Sequence, residues 1–253
     1  MYSELHFTFE KDKLIALSGI VERMAKLWPD NRYIAGLWEE NLLLQLSWFA
    51  DFDEVARPSS FRAPTWSWAS IKSVVSWSSV DYSAMKGVEV VDVSCPAVYT
   101  GTVCCEDDEN PGLGPTITIR GPMMAARLSP RTVDRLRDRH PTGDHEREYY
   151  GGVKLAGEHA AAFEGIKMFS FYPDYLFHNP GRYYVAPDSE LFLLPLLLAS
   201  AVLDSILLKK REGTLFYERV GLVKISMFYN QAAKLQSLLN HVYSLALSDI
   251  TIM

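Results

Sequence analysis

The spacing of apolar residues changes near Val88, and that change constrains the fold more than any other feature of the sequence. Before it, apolar positions recur every three or four residues; after it they alternate or fall in short runs. Such runs occupy Val88 to Val93, Ala97 to Cys105, Thr116 to Arg120, Ile166 to Tyr172, Glu190 to Leu198, Ser205 to Arg211 and Phe216 to Ser226. Period two places side chains on alternate faces of a strand, so these segments are predicted as strands, mostly antiparallel. The acidic stretch Glu106 to Pro115 reads as a long hairpin connection. Ser129 to Gly152 reads as a charged loop in which Val133 to Arg139 makes a short helix.

Upstream of Val88 the period is helical. Leu14, Leu17, Ile20, Val21, Met24 and Leu27 share one face of a helix predicted from Asp12 to Trp28 and stopped by Pro29. A second helix is predicted from Tyr33 to Phe49. Arg57 to Ser70 is too rich in proline and serine for a helix and reads as an aromatic-rich turn into a strand. Near the other end, Gln231 to Leu247 carries seven apolar residues on one helical face, and Asp249 to Met253 reads as a last strand. The expected architecture is α+β: a mostly antiparallel, barrel-like or sandwiched sheet covered by N-terminal and C-terminal helices. One domain over 1–253 is expected, with a helical, tryptophan-rich part over 1–80 and a β-rich part over 86–253.

Composition excludes several classes of function. A net charge of -6 does not suit phosphate binding, so no nucleic-acid partner is expected. Cys95, Cys104 and Cys105 form neither a disulfide framework nor a CxxC pair, which fits a reducing cytoplasm. The segment MYSELHFTFEKDK lacks the apolar run of a signal peptide. Leu191 to Leu208 is apolar but interrupted by Pro195, Ser200, Asp204 and Ser205, and reads as two buried strands rather than as a membrane insertion.

Motifs for common chemistries are missing. There is no GxSxG elbow, no GxxxxGK[ST] and no GxGxxG, so neither hydrolase nor nucleotide chemistry is implied and no cofactor is expected. His140, Asp144, His145 and Glu146 fall in a charged loop and read as solvated rather than metal-ligating. Trp66 and Trp68 share a face of an extended segment, where they either close a core or line a pocket. His178 is flanked in sequence by Tyr172, Tyr175, Tyr183 and Tyr184. Arg219 shares a strand face with Tyr217 and reaches either a ligand or an acidic neighbour in a structural salt bridge.

Four segments together carry a family resemblance: DKLIALSGIV from Asp12, YIAGLWEENLLLQLSW from Tyr33, RPSSFRAPTWSWAS from Arg57 and FYERVGLV from Phe216. In order and spacing they resemble the region that follows the heterokaryon-incompatibility (HET) domain in fungal HET proteins; AGLW and RAPTWSWAS are the specific elements. The LSYxWG-like and CINQ-like motifs of the HET domain itself do not occur in this sequence. Stand-alone relatives of this region are associated with fungal terpenoid biosynthesis, including Diels–Alder cyclisation. The resemblance therefore implies a cofactor-independent cyclase or isomerase acting on a small apolar metabolite. Trp66, Trp68, Tyr172, Tyr183 and Tyr217 would bind the substrate, and His178 or Arg219 would donate to its carbonyl. The competing expectation is a non-catalytic protein-interaction module with an exposed apolar patch.

Overall fold

A computed structural model describes residues 12–51, 56–58, 61–77, 82–94, 114–131, 149–163, 168–177, 183–186, 189–199, 202–226 and 232–253. The fold is α+β, with most strands in one large mixed sheet and few, short helices.

The helical period of the first residues is realised in two pieces, α1 (Asp12–Ile15) and α2 (Ser18–Ala25), instead of one helix to Trp28. Lys13 is buried and donates through Nζ to the Ile71 carbonyl at 3.0 Å, which anchors α1 inward. The weak helix formers Ser18 and Gly19 follow the break.

The helix expected over Tyr33 to Phe49 does not form. In its place come β1 (Tyr33–Ile34), β2 (Leu37–Trp38), a 3-10 turn (Glu39–Asn41), α3 (Leu42–Gln45) and β3 (Trp48–Ala50). The cause is local. Ala35 and Gly36 adopt φ of 47° and 94°, the pair of positive values that a two-residue hairpin turn needs and a helix cannot hold. The Gln45 amide then accepts from the Trp38 N–H and donates to the Trp38 carbonyl, closing the segment on itself. Ser67 caps a 3-10 turn at Trp68–Ser70, and β4 (Val75–Trp77) pairs with β3.

The sheet follows: β5 (Ser83–Ala84), β6 (Glu89–Ser94), β7 (Thr116–Pro122), β8 (Met124–Arg131), β9 (Tyr149–Leu155), then α4 (His159–Ala162) and β10 (Met168–Pro173). Next come β11 (Leu191–Ala199), β12 (Val202–Lys210), β13 (Phe216–Ser226), α5 (Ala232–Ser244) and β14 (Leu247–Ile252). The hydrogen-bonded order is β6-β7-β14-β13-β12-β11-β8-β9, with β10 also on β13 and β5 also on β11. All ladders are antiparallel except β13 with β14. The described strands form no closed ring, although β7 and β8, at separate places in the order, are divided only by Met123.

One further sequence expectation needs correction, and several fall outside the described residues. The loop expected over Ser129 to Gly152 begins and ends as strand, with Ser129 opposite Gly152 and Arg131 opposite Tyr149. Its charges masked two tyrosines, Tyr149 and Tyr150, that favour a sheet. The run Ala97 to Cys105, the helix Val133 to Arg139 and the residues His140, Asp144, His145 and Glu146 lie outside the described residues, as does most of Glu106 to Pro115.

The apolar stretch from Leu191 does form two buried strands, β11 and β12. Pro195, which lacks an N–H for the ladder, sits at a register shift between Pro195 and Leu197. Leu191, Leu193, Leu194, Leu196, Leu197, Leu203, Ile206, Leu207 and Leu208 are fully buried and make the centre of the core. Each contributes on the order of 1.5–3 kcal/mol by leaving water. Leu238 and Val242 of α5 close over it. Among the described residues no helix is long and apolar enough to cross a membrane.

Candidate functional site

Two of the sequence segments singled out above, AGLW and RAPTWSWAS, interlock. The Trp68 indole donates through Nε1 to the Gly36 carbonyl at 2.8 Å, and the Ser67 hydroxyl donates to the Ala35 carbonyl at 2.5 Å. Gly36 is required here: a Cβ would lie 2.8 Å from Trp68 Nε1, at a φ that favours glycine. The hairpin turn and the tryptophan turn thus form one wall. Lys13 adds its ammonium 5.0 Å from the Trp68 ring centroid.

Against that wall lies an open apolar groove of about 410 Å³. One side is Leu17 with Ile20, Val21 and Met24 of α2, and the other carries Tyr33, Trp38, Trp68 and Trp77. Several polar atoms of these walls are bonded within the protein. Trp77 Nε1 donates to the Gln45 carbonyl at 3.0 Å, Gln45 holds the Trp38 backbone and Trp68 holds Gly36. The groove therefore presents hydrocarbon and π-faces to a guest. Two of its lining residues are themselves exposed, Ile20 at 59 % and Trp77 at 41 %. Trp28 meets Trp38 edge-on at 5.8 Å.

Arg219 occupies a different place. It is fully buried beside an irregularity where Leu207 pairs with Gly221 and Leu208 with Arg219. Its Nε donates to Asp174 Oδ2 at 3.0 Å, Nη1 to the Leu46 carbonyl at 2.7 Å, and Nη2 to Asp174 Oδ1 and the Trp48 carbonyl. The guanidinium also lies 3.5 Å from the Trp48 ring centroid. Of the two roles open to Arg219, this is the geometry of an internal salt bridge. Burial pushes the Asp174 carboxyl above the usual carboxylate range, while the guanidinium of Arg219 pulls against it. Burial likewise lowers Arg219, opposed by Asp174. A guanidinium stays protonated at any ordinary pH, so the pair is held by charge as well as by geometry. Arg57 finishes the knot, donating to the Arg219 carbonyl at 2.7 Å with its guanidinium 4.4 Å from the Tyr175 ring centroid.

The remaining residues expected to bind substrate are dispersed. Trp66 is fully buried and its carbonyl accepts from Trp48 Nε1 at 2.9 Å. Tyr172 packs on Phe49 at 4.7 Å, and Tyr217 meets Phe192 edge-on at 5.7 Å. Tyr183 packs against Tyr175 and borders a separate cleft of only about 30 Å³, with Arg57, Arg62 and Glu218. Trp68 alone lines the apolar groove, and His178 lies outside the described residues.

Sequence reasoning did not assign the groove to Leu17, Ile20, Val21, Met24, Tyr33, Trp38 and Trp77. The sequence did mark Leu17, Ile20, Val21 and Met24 as one apolar face, but it gave no sign of what that face packs against. Asp174 was likewise not named, although an acidic neighbour for Arg219 was one of the expectations.

Comparisons with protein-family models, with curated proteins and with solved structures return no match to this chain.

Proposed function

We propose that this chain binds an apolar, terpenoid-like small molecule in the groove beside α2, and that the reaction it promotes is a cofactor-independent intramolecular cyclisation of the Diels–Alder type. The observation that carries this reading is the groove itself. At about 410 Å³ it falls in the size range of small-molecule sites, and four aromatic rings wall it. Because its lining is mostly apolar, selection rests on shape and apolar area. Catalysis by such a wall works through orientation: holding diene and dienophile in a near-attack arrangement removes entropy from the barrier without a nucleophile. Trp68 keeps its place as a wall residue, and the mechanism asks nothing of Arg219, whose donors are spent on Asp174, Leu46 and Trp48.

The resemblance to the post-HET region supports the same place, since AGLW and RAPTWSWAS meet at this wall. On that reading the protein belongs to fungal secondary metabolism and works in the cytoplasm. The large sheet is read as sandwich-like, its two sides joined where β7 passes into β8. A second reading, a non-catalytic module that docks a partner protein, is favoured by one observation: the groove is open and exposes Ile20 and Trp77.

Titrating the protein with polyene acids and aldehydes, followed by tryptophan fluorescence, tests the binding step. Saturable quenching is expected, weakened about tenfold in Ile20→Glu, which puts a charge at the lip of an apolar site. No saturable binding would leave partner docking as the better account. The cyclisation step is tested by comparing product isomers with those formed in buffer, in wild type and in His178→Ala. An unchanged rate and isomer ratio in wild type would remove cyclisation and leave binding alone.

A further inference from the structure

Two imidazoles meet between α4 and α5, and neither lines the groove. His159 Nδ1 lies 3.1 Å from His241 Nε2, with ring centroids 5.4 Å apart and planes inclined by 65°. His159 is 8 % exposed and His241 is half-buried. Phe163 stands edge-on to His241 at 6.5 Å. On the far side of His159, Glu158 Oε1 lies 3.9 Å from Nε2. Lys154, on the neighbouring strand β9, is exposed.

Two ring nitrogens at this separation can share one proton or one metal ion. Metal–nitrogen bonds of about 2.0–2.1 Å would make a 3.1 Å separation subtend about 100° at the metal, between square and tetrahedral values. A carboxylate beside the remote nitrogen is the usual partner of a ligating imidazole, since it orients the ring and raises its basicity. We propose that His159 Nδ1 and His241 Nε2 are two ligands of a site for a borderline transition-metal dication of the Zn²⁺, Ni²⁺ or Cu²⁺ kind. Glu158, at 3.9 Å from Nε2, lies beyond hydrogen-bond length and contributes only its charge on that side, and water completes the shell on the half-buried His241 side.

Imidazole pairs suit these ions, whereas Mg²⁺ and Ca²⁺ seek oxygen. Among the described residues no third protein ligand joins the pair, so the site is open. The ion takes each imidazole in its neutral form, so binding strengthens as pH rises. Because the ligands come from two helices, the ion pins α4 to α5 and stabilises the folded chain.

The test uses metal-free full-length chain melted with Ni²⁺, Zn²⁺ or Mg²⁺. At a concentration about a hundred times the dissociation constant, Ni²⁺ or Zn²⁺ should raise Tm by about 5 °C, with no change in Mg²⁺. His159→Gln and His241→Gln should each lose that rise. With one equivalent of Cu²⁺, electron paramagnetic resonance should show two imidazole nitrogens in wild type and fewer in each variant. Equal shifts in wild type and both variants would place the metal on other side chains and overturn the proposal, as would no shift in wild type. If His159→Gln fails to fold, His241→Gln alone decides, because that ring is half-buried.

Discussion

The first third of the chain and the large sheet build their buried cores by opposite means. Residues 12–77 are built from elements of two to eight residues, and side chains bonded to backbone carbonyls hold them together: Lys13 to Ile71, Trp48 to Trp66, Ser67 to Ala35, Trp68 to Gly36, Trp77 to Gln45. The sheet is held by strand ladders and by leucine and isoleucine packed between them. Directional bonds fix one geometry and suit the walls of a site. Aliphatic packing tolerates exchange of shape at constant volume and suits a scaffold. Arg219 is the seam, rooted in β13 while its donors reach the Leu46 and Trp48 carbonyls.

The sharpest way to break this comparison is at the seam. Arg219→Met leaves the Asp174 carboxylate buried without its partner and strips two carbonyls of their donor, so urea unfolding should show a loss of about 3–5 kcal/mol. A loss under ~1 kcal/mol would mean that apolar contact alone joins the two regions. Within the scaffold, Leu193→Ala should cost about 2–5 kcal/mol while the near-ultraviolet dichroism of the tryptophans stays as in wild type. A changed tryptophan signal would show that the wall depends on the sheet's packing. Smallest is the turn. Gly36→Ala places a methyl 2.8 Å from Trp68 Nε1 at positive φ and should cost about 1–3 kcal/mol, read in the same unfolding experiment. Its tryptophan signal should change, the reverse of the Leu193→Ala result.

The same contrast explains what could be read from the sequence. Strands β6, β7, β10, β11, β12, β13 and β14 were visible because ladders impose a period of two and burial on both faces imposes aliphatic runs. Helix α5 was visible because thirteen residues suffice to repeat its apolar face. The N-terminal region failed that test at Tyr33 to Phe49, where every leucine fitted a helix but Ala35 and Gly36 turned the chain. Its fold is written in single side-chain-to-carbonyl bonds between residues 32 and 58 positions apart, such as Trp68 to Gly36 and Lys13 to Ile71, and no periodicity reports such bonds. For the site, the tryptophan turn was legible and its partner was not. That the Trp68 indole faces a groove while Trp66 is sealed in the core depends on the 3-10 turn that begins at Trp68, which breaks the alternation assumed for an extended segment.

The passage from β7 to β8 has its own consequence. A single residue, Met123, separates a strand paired with β14 and β6 from one paired with β11 and β9. One covalent thread therefore stitches both borders of the sheet, and tension applied at either is carried along the chain to the other. Separating either edge pair, β6 with β7 or β8 with β9, therefore pulls on a chain held in the ladders of the other.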